Sequence, residues 1–240
     1  MDKRLFCSKM REPKVYFHDF INFLFPLQCV ACKKQLVKGE EFFCISCFLE
    51  LPKTQYHLYA DNPVLRSFTG RFPLEKGAAW LQFQKGGVLQ AAMHAIKYQN
   101  RPKLGAYLAA KAAADWQNSE FFSDIDLIVP VPLHWRKRMK RGYNQASFIA
   151  QGLGDSLNIP VDESFLYRAQ YRQSQTREHR FKRWTNVSSV FAVKTHLAVT
   201  DKHILLVDDV LTTGATIEAC LRVMAEMPRC RFSIFTLAHA

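Results

Sequence analysis

Residues 204–216 read Ile-Leu-Leu-Val-Asp-Asp-Val-Leu-Thr-Thr-Gly-Ala-Thr. Two adjacent carboxylates, Asp208 and Asp209, are followed by Thr212, Thr213, Gly214, Ala215 and Thr216. Carboxylates accept hydrogen bonds and repel phosphate, so the acid pair suits vicinal hydroxyls or a divalent cation. Threonine hydroxyls and the backbone N–H groups of a Thr/Gly turn, with a helix N-terminus behind them, suit an anion, and phosphate best. Gly214 lets the backbone come close to such a ligand. A ligand with a phosphate at one end and a diol nearby is a ribose 5-phosphate. The plainer alternative is a strand end whose Asp and Thr cap a helix. The elements that must position these groups are a strand over Ile204–Val207, buried on both faces, a polar turn beginning at Asp208, and a helix from Ile217 to Met227.

A second cluster points to metal. Four of the seven cysteines form Cys29-x2-Cys32 and Cys44-x2-Cys47, with eleven residues between the pairs. Each pair fits a tight knuckle, and two knuckles supply the four thiolates of a tetrahedral zinc site, closed and therefore structural. The gap can hold a short hairpin through Gly39, and Lys33, Lys34 and Lys38 offset the thiolate charge. Disulfides are the alternative, and they need an oxidising compartment. Cys7, Cys220 and Cys230 are left as free thiols, with Cys220 packed in the helix after the Thr/Gly turn.

Two stretches concentrate cations in a chain of formal net charge +12. Ile125–Val131 predicts a second buried strand. A basic loop follows, with His134, Trp135, Arg136, Lys137, Arg138, Lys140 and Arg141, and then Gly142-Tyr143-Asn144-Gln145 opens a helix reaching about Leu157. Cations at the carboxyl end of a strand, with a helix N-terminus, suit pyrophosphate. Residues 168–186 carry Arg168, Arg172, Arg177, Arg180, Lys182 and Arg183 against the single acid Glu178. This segment reads as a loop or strand pair that orders over an anion. Its Arg with Trp, Tyr and Phe is also the composition for backbone contacts and base stacking on single-stranded nucleic acid. A solvated charge run is the plainer reading of both.

The remaining pattern is α/β. Strands are expected over Gly77–Gln84, Val187–Val193, His203–Val207 and Arg231–Leu237. Helices are expected over Val88–Tyr98 and Leu104–Trp116, the second Ala-rich and able to pack closely on a sheet. Lys97 reads as a cation at a helix C-terminus, and His94 as a packed or surface histidine. The aromatic-rich Val15–Leu27 reads as a packing helix. No run of 18 apolar residues and no signal-peptide pattern occurs, so no membrane span and a cytoplasmic location are expected. Leu51-Pro52 marks a boundary between residues 1–52, an N-terminal segment with the zinc ribbon, and residues 53–240.

The 204–216 stretch resembles the phosphoribosyl pyrophosphate (PRPP) motif of type I phosphoribosyltransferases. Four blocks in order resemble the competence protein F family: the Cys29/Cys32/Cys44/Cys47 ribbon, the Val-Pro-Leu…Arg141-Gly-Tyr-Asn144-Gln145 block, the Gln175…Arg180…Arg183…Asn186-Val…Phe191 block, and the 207–216 loop. The resemblance runs from about residue 20 to 240. It implies an α/β fold, a type I phosphoribosyltransferase-like parallel sheet flanked by helices, with a small N-terminal zinc ribbon. By position it implies that Asp208 and Asp209 take the ribose hydroxyls. Residues Thr212–Thr216 would hold the 5-phosphate, and Arg141, Gly142, Asn144 and Gln145 would lie at the pyrophosphate loop, with Mg²⁺ accompanying PRPP. It also implies a cytosolic role in natural transformation, handling incoming single-stranded DNA. Arg136, Lys137, Arg138, Lys140, Arg177, Arg180 and Arg183 are the nucleic-acid candidates.

No base-recognition pocket and no catalytic lysine in a flexible loop is identifiable by sequence, so the catalytic residue stays unassigned. Three functions follow: a PRPP-site protein that binds single-stranded DNA during uptake, an active phosphoribosyltransferase with an unknown acceptor, and an adaptor whose ribbon docks a competence helicase or another DNA-processing protein.

Overall fold

The computed structural model describes residues 26–168, 190–194 and 199–240. The chain divides into two units, Met1–Glu50 and Leu51–Ala240. Most of the expected helix over Val15–Leu27 lies outside the described residues, as do Cys7, Arg177, Arg180 and Arg183.

In the first unit the N–H of Cys29 donates to the Lys34 carbonyl at 2.8 Å and that of Lys33 to the Cys29 carbonyl at 3.1 Å. An antiparallel bridge between Gln28 and Gln35 closes this knuckle, so the hairpin forms around the first cysteine pair. Gly39, with φ +98°, makes only a separate turn. Helix α1, Ile45–Leu49, begins directly after Cys44 and buries Cys47. The Glu40 carboxylate accepts from the N–H groups of Val37 at 2.9 Å and Ile45 at 2.7 Å, tying the turn to α1.

The second unit is built on a parallel sheet of β1 (Lys76–Gln82), β6 (Arg231–His239), β5 (His203–Leu211) and β2 (Leu127–Pro130), in that spatial order. Every pairing in it is parallel. The interior residues of these strands are almost all apolar, as strands covered on both faces require. A two-stranded antiparallel ladder, β3 (Leu166–Arg168) with β4 (Phe191–Val193), stands beside it. The helices are α2 (Pro63–Arg66), α3 (Val88–Tyr98), α4 (Pro102–Asp115), α5 (Trp135–Arg141), α6 (Gln145–Leu157) and α7 (Ala215–Met224). Among the described residues, no helix is long and apolar enough to cross a membrane.

Three expectations are corrected. The strand of the acid pair does not end at Val207. It runs to Leu211 because β6 offers backbone partners that far, with Asp208 opposite Thr236 and Val210 opposite Ala238. The basic 134–141 stretch is a helix, since Arg, Lys and Met are good helix formers. The His134 imidazole accepts from the Arg136 N–H at 3.1 Å at its start, and Gly142 ends it in the left-handed region at φ +81°. The Ala-rich α4 packs chiefly on α6. A Cβ on Gly152 would lie 2.3 Å from the Ala106 carbonyl oxygen, so glycine sets that close approach.

At the amino ends of the strands, charged and polar groups form a closed network. His203, fully buried, donates from Nδ1 to Asp124 Oδ2 at 3.0 Å, and its Nε2 lies 2.8 Å from Ser233 Oγ. Lys76 and Arg231 also donate to Asp124, at 2.5 and 3.0 Å. Asp126 accepts from the His203 N–H at 2.8 Å and from Lys202 at 3.3 Å. Ser233, His203 and Asp124 have the connectivity of a nucleophilic triad. Ser233 is fully buried, though, and accepts from the Lys76 N–H at 3.0 Å, so no substrate reaches it and the network holds strand ends together. Burial would push the Asp124 carboxyl up, but the hydrogen bonds and charges of Lys76 and His203 more than reverse this and hold it far below the usual carboxylate range.

Candidate functional site

The sequence that follows each strand of the parallel sheet enters one cleft. Phe83 follows β1, Val131 follows β2, Asp208 to Val210 lie near the carboxyl end of β5, and Ala240 follows β6, and all of these line a cavity of about 430 Å³. Ligands of open α/β sheets bind at this edge.

Of the predicted sugar-phosphate residues, Asp208, Asp209, Thr212 and Thr216 line the cleft. Gly214 has φ +76° and forms the N-terminal boundary of α7. A Cβ there would come within 2.9 Å of the Phe68 ring, so only glycine lets the turn sit on this buried aromatic. The Thr213 hydroxyl accepts from the Ala215 N–H at 3.4 Å, a helix-start contact. Thr213, Gly214 and Ala215 thus shape the turn rather than line the cleft.

Of the predicted pyrophosphate loop, Arg141, Asn144 and Gln145 face the same cleft. Asn144 is the residue before α6. Its amide donates to the Val131 carbonyl at 3.0 Å and its oxygen accepts from the Ala146 N–H at 3.3 Å, which locks the start of α6 onto the end of β2. Arg141 donates to Gln145 Oε1 at 3.0 Å. Gln145 is only 2% exposed, and its Nε2 has no hydrogen-bond partner among the described residues. A buried amide donor without a partner is costly, and a ligand acceptor would satisfy it. Gly142 does not line the cleft; it terminates α5 and turns the chain into Asn144.

The nucleic-acid candidates divide. Lys137 enters the cleft. Arg138 lines a groove beside it, with Trp135, Tyr143, Tyr167 and Arg168. Arg136 lies over the Trp135 ring at 5.2 Å, and Lys140 is exposed.

Three cleft residues escaped sequence reasoning. Lys97 Nζ lies 3.0 Å from Asp209 Oδ2. Its place at the end of an amphipathic helix hid this, because nothing local says where the helix ends relative to β5. Arg168 was legible only as one cation in a run, and His134 only as part of the basic stretch. Burial and the charges of Arg168, Arg136 and Lys137 hold the His134 imidazole below its ordinary value.

Electrostatics set the state of the acids. Asp209 N–H donates to Asp208 Oδ1 at 2.8 Å. Burial first, and the adjacent Asp209 charge second, push the Asp208 carboxyl up to about 8, against the lowering effect of that hydrogen bond and of Lys97 and Lys137. Four cations, Lys97, Lys137, Arg141 and Arg168, thus face two acids among the described lining residues. The cleft favours a polyanion that brings hydroxyls to the acid pair.

In the first unit the sulfurs of Cys29, Cys32, Cys44 and Cys47 all lie within 4.8 Å of one another. The Cys32 and Cys44 sulfurs are 3.6 Å apart, close to the ~3.8 Å edge of a tetrahedron with metal–sulfur bonds of about 2.3 Å. Burial would push the Cys29 thiol up, but backbone N–H groups of Cys44, Cys32 and Ala31 lower it to about 6. Burial and the neighbouring cysteines push the Cys47 thiol up. The donor set fits a metal such as zinc, and a bound ion would cross-link the two knuckles and hold all four as thiolates.

A family model described as the phosphoribosyl transferase domain matches residues 103–239. The chain is 25% identical over 236 residues to "Competence protein F" of Haemophilus influenzae, spanning 92% of this chain and 99% of that protein. It is 26% identical over 196 residues to "DNA utilization protein YhgH" of Escherichia coli K12, spanning 79% of this chain and 80% of that protein. Among solved structures, the hypoxanthine-guanine phosphoribosyl transferase of Leishmania donovani is 22% identical over 59% of this chain and 67% of that chain, with a TM-score of 0.32, a likeness too slight to bear on the assignment. Strands β2, β5 and β6, and the cleft residues Arg141, Asn144, Gln145, Asp208, Asp209, Thr212 and Thr216, lie within the matched span, which is more than half of the 240 residues, and the chain belongs to the phosphoribosyl transferase domain family.

Proposed function

We propose that this is a PRPP-site protein of DNA uptake that binds and handles incoming single-stranded DNA in the cytosol. The observation that carries the sugar-phosphate part is the meeting of Asp208, Asp209, Thr212 and Thr216 with Arg141, Asn144 and Gln145 around one cleft. The acid pair takes the ribose hydroxyls, the Thr turn and the N-terminus of α7 the 5-phosphate, and the cations with Gln145 Nε2 the pyrophosphate, which brings Mg²⁺ with it. Calorimetric titration of PRPP with Mg²⁺ tests this. Binding by the wild type, lost in a folded Asp208→Asn/Asp209→Asn variant, is the expected result; retained binding in that variant refutes the site.

The DNA part is supported by the net charge of +12, by the names of the two relatives, and by the exposed α5, where Arg136, Lys137, Arg138 and Lys140 surround the half-exposed Trp135. Affinity for oligo(dT) is expected to fall steeply with salt as phosphate contacts release counterions. Arg177, Arg180 and Arg183 rest on sequence alone, and unchanged oligonucleotide binding after changing all three to Ala removes them from the interface. A competence helicase or other DNA-processing partner remains a candidate for the ribbon. Residues 1–52 are read as the ribbon domain and 53–240 as the phosphoribosyltransferase-like domain.

The alternative, an active phosphoribosyltransferase, is favoured by Gln145 Nε2, a buried donor without a partner among the described residues. An acceptor atom would bond C1 of PRPP as the C1–O bond breaks, and pyrophosphate would leave with the electron pair. Catalysis would rest on positioning and charge stabilisation. Release of pyrophosphate in the presence of candidate acceptors tests it.

The bound metal is read as structural zinc. Freshly purified protein is expected to hold one zinc per chain, with residues 26–50 opened to proteases by Cys44→Ser. Metal analysis that finds no zinc refutes this.

A further inference from the structure

Lys97 is the last basic residue of α3, placed by sequence to meet that helix's own dipole. Instead its Nζ lies 3.0 Å from Asp209 Oδ2, with side chains only 24% and 15% exposed, shielded enough for the pair to matter. Its setting fixes it there. The helix buries Leu89, Ala92, Met93 and Ile96, and the Tyr143 hydroxyl donates to the Ile96 carbonyl, one residue before Lys97. The end of α3 is thereby tied to the turn that presents Asn144 and Gln145.

A site that holds a diol with two carboxylates and a pyrophosphate with cations has an internal conflict. The acids repel the phosphates beside them. A divalent cation ordinarily resolves such a conflict, held by one or two carboxylates and the substrate phosphates. Here a lysine already sits on Asp209, one of the two acids that face the cleft, and Lys137, Arg141 and Arg168 supply further positive charge. The protein has a positive cleft before any ion enters.

We propose that Lys97 is the built-in counter-ion of this site, standing at Asp209 where a divalent cation would stand, so that the cleft binds PRPP without added Mg²⁺. The inference rests on the phosphoribosyl reading above and concerns binding alone; Mg²⁺ can still serve the leaving pyrophosphate in a reaction. Lys97 is a positioning residue here. It holds Asp209 toward the ribose and screens it from the phosphates.

The test is calorimetric titration of PRPP into the full chain, in buffer freed of divalent ions by a chelating resin and again with millimolar MgCl₂. The proteins are wild type, Lys97→Met and Lys97→Arg. Wild-type affinity is expected to change by less than about threefold between the two buffers. Lys97→Met is expected to bind at least about tenfold more weakly without Mg²⁺ and to recover with it, while Lys97→Arg stays close to wild type. A wild type that tightens about tenfold or more on adding Mg²⁺ overturns the inference, needs no variant, and leaves the phosphoribosyl reading standing. A Lys97→Met protein weakened equally in both buffers overturns it too. No binding by the wild type in either buffer overturns the phosphoribosyl reading and this inference with it.

Discussion

The two ends of one parallel sheet hold similar chemistry in opposite states. At the amino ends, Lys76, Asp124, Asp126, Lys202, His203, Arg231 and Ser233 are joined by hydrogen bonds of 2.5 to 3.3 Å. At the carboxyl ends, four cations face two acids, a buried amide lacks a partner among the described residues, and one carboxyl is pushed up to about 8. The first arrangement stabilises a fold. The second carries unmet electrostatic demand that a ligand can meet, and on the phosphoribosyl reading that ligand brings an anion and a diol. Polar residues at a strand end are thus not by themselves a site; the difference is whether their partners are already in the chain.

The comparison breaks most visibly at His203. Changing His203 to Ala removes the imidazole that links Asp124 to Ser233 and leaves a buried gap. The expected loss is about 3 kcal/mol of stability, read from the denaturant midpoint at constant m. The cleft lies at the other end of the strands, so PRPP affinity of the folded variant is expected to stay within about twofold. A loss below about 1 kcal/mol would mean that water already satisfies this end.

The two ends also respond to pH with opposite sign. Asp124 has its folded value depressed, so its contribution is present above the ordinary carboxylate value and is lost as pH falls through the folded one. Asp208 has its folded value raised to about 8. The folded state then holds a proton that the unfolded state releases near pH ~3.9, so stability falls as pH rises from there to about 8 and levels off above. The wild type is expected to lose about 2 kcal/mol across that window relative to Asp208→Asn, allowing for the water that reaches a half-buried carboxyl. Urea unfolding of both proteins at pH 5 and pH 8.5 measures it. A difference that does not change with pH would show that Asp208 is ionised throughout.

Much of this was legible in the chain, and the rest failed for physical reasons. The strand around Leu205, α3 and the start of α6 at Gln145 are local patterns of apolar spacing and turn residues, and they appear as read. The ordered Asp-Asp…Thr-Thr-Gly-x-Thr string and the two Cys-x2-Cys pairs encode site geometry within a few residues, so they too could be read. The helix over Trp135–Arg141 was missed because it buries no residue and its apolar pair, Trp135 and Met139, is exposed among cations; its caps, His134 and Gly142, hold it against solvent. The extension of β5 through Asp208 and Asp209 depends on β6, which follows it by some twenty residues. Lys97 was missed for the same reason, its partner being more than a hundred residues away. The amino-end network is likewise non-local, with Lys76, Asp124, His203 and Ser233 meeting only once the sheet is ordered.

The finest test concerns Gln145, where the two ends differ by a single atom. Its Oε1 accepts from Arg141 at 3.0 Å, and its Nε2 is buried without a partner among the described residues. Gln145→Leu keeps the volume and removes the unsatisfied donor. It frees the half-buried Arg141 to find water. These changes oppose each other, so stability is expected to stay within about 1 kcal/mol. On the phosphoribosyl reading the same variant loses a buried donor to the pyrophosphate, and PRPP affinity is expected to fall about tenfold. A large stability loss with unchanged affinity would reverse the assignment and make Gln145 part of the scaffold, as His203 is at the other end. A small stability change with weakened binding places the carboxyl edge where the comparison puts it, with its polar groups held ready for a ligand.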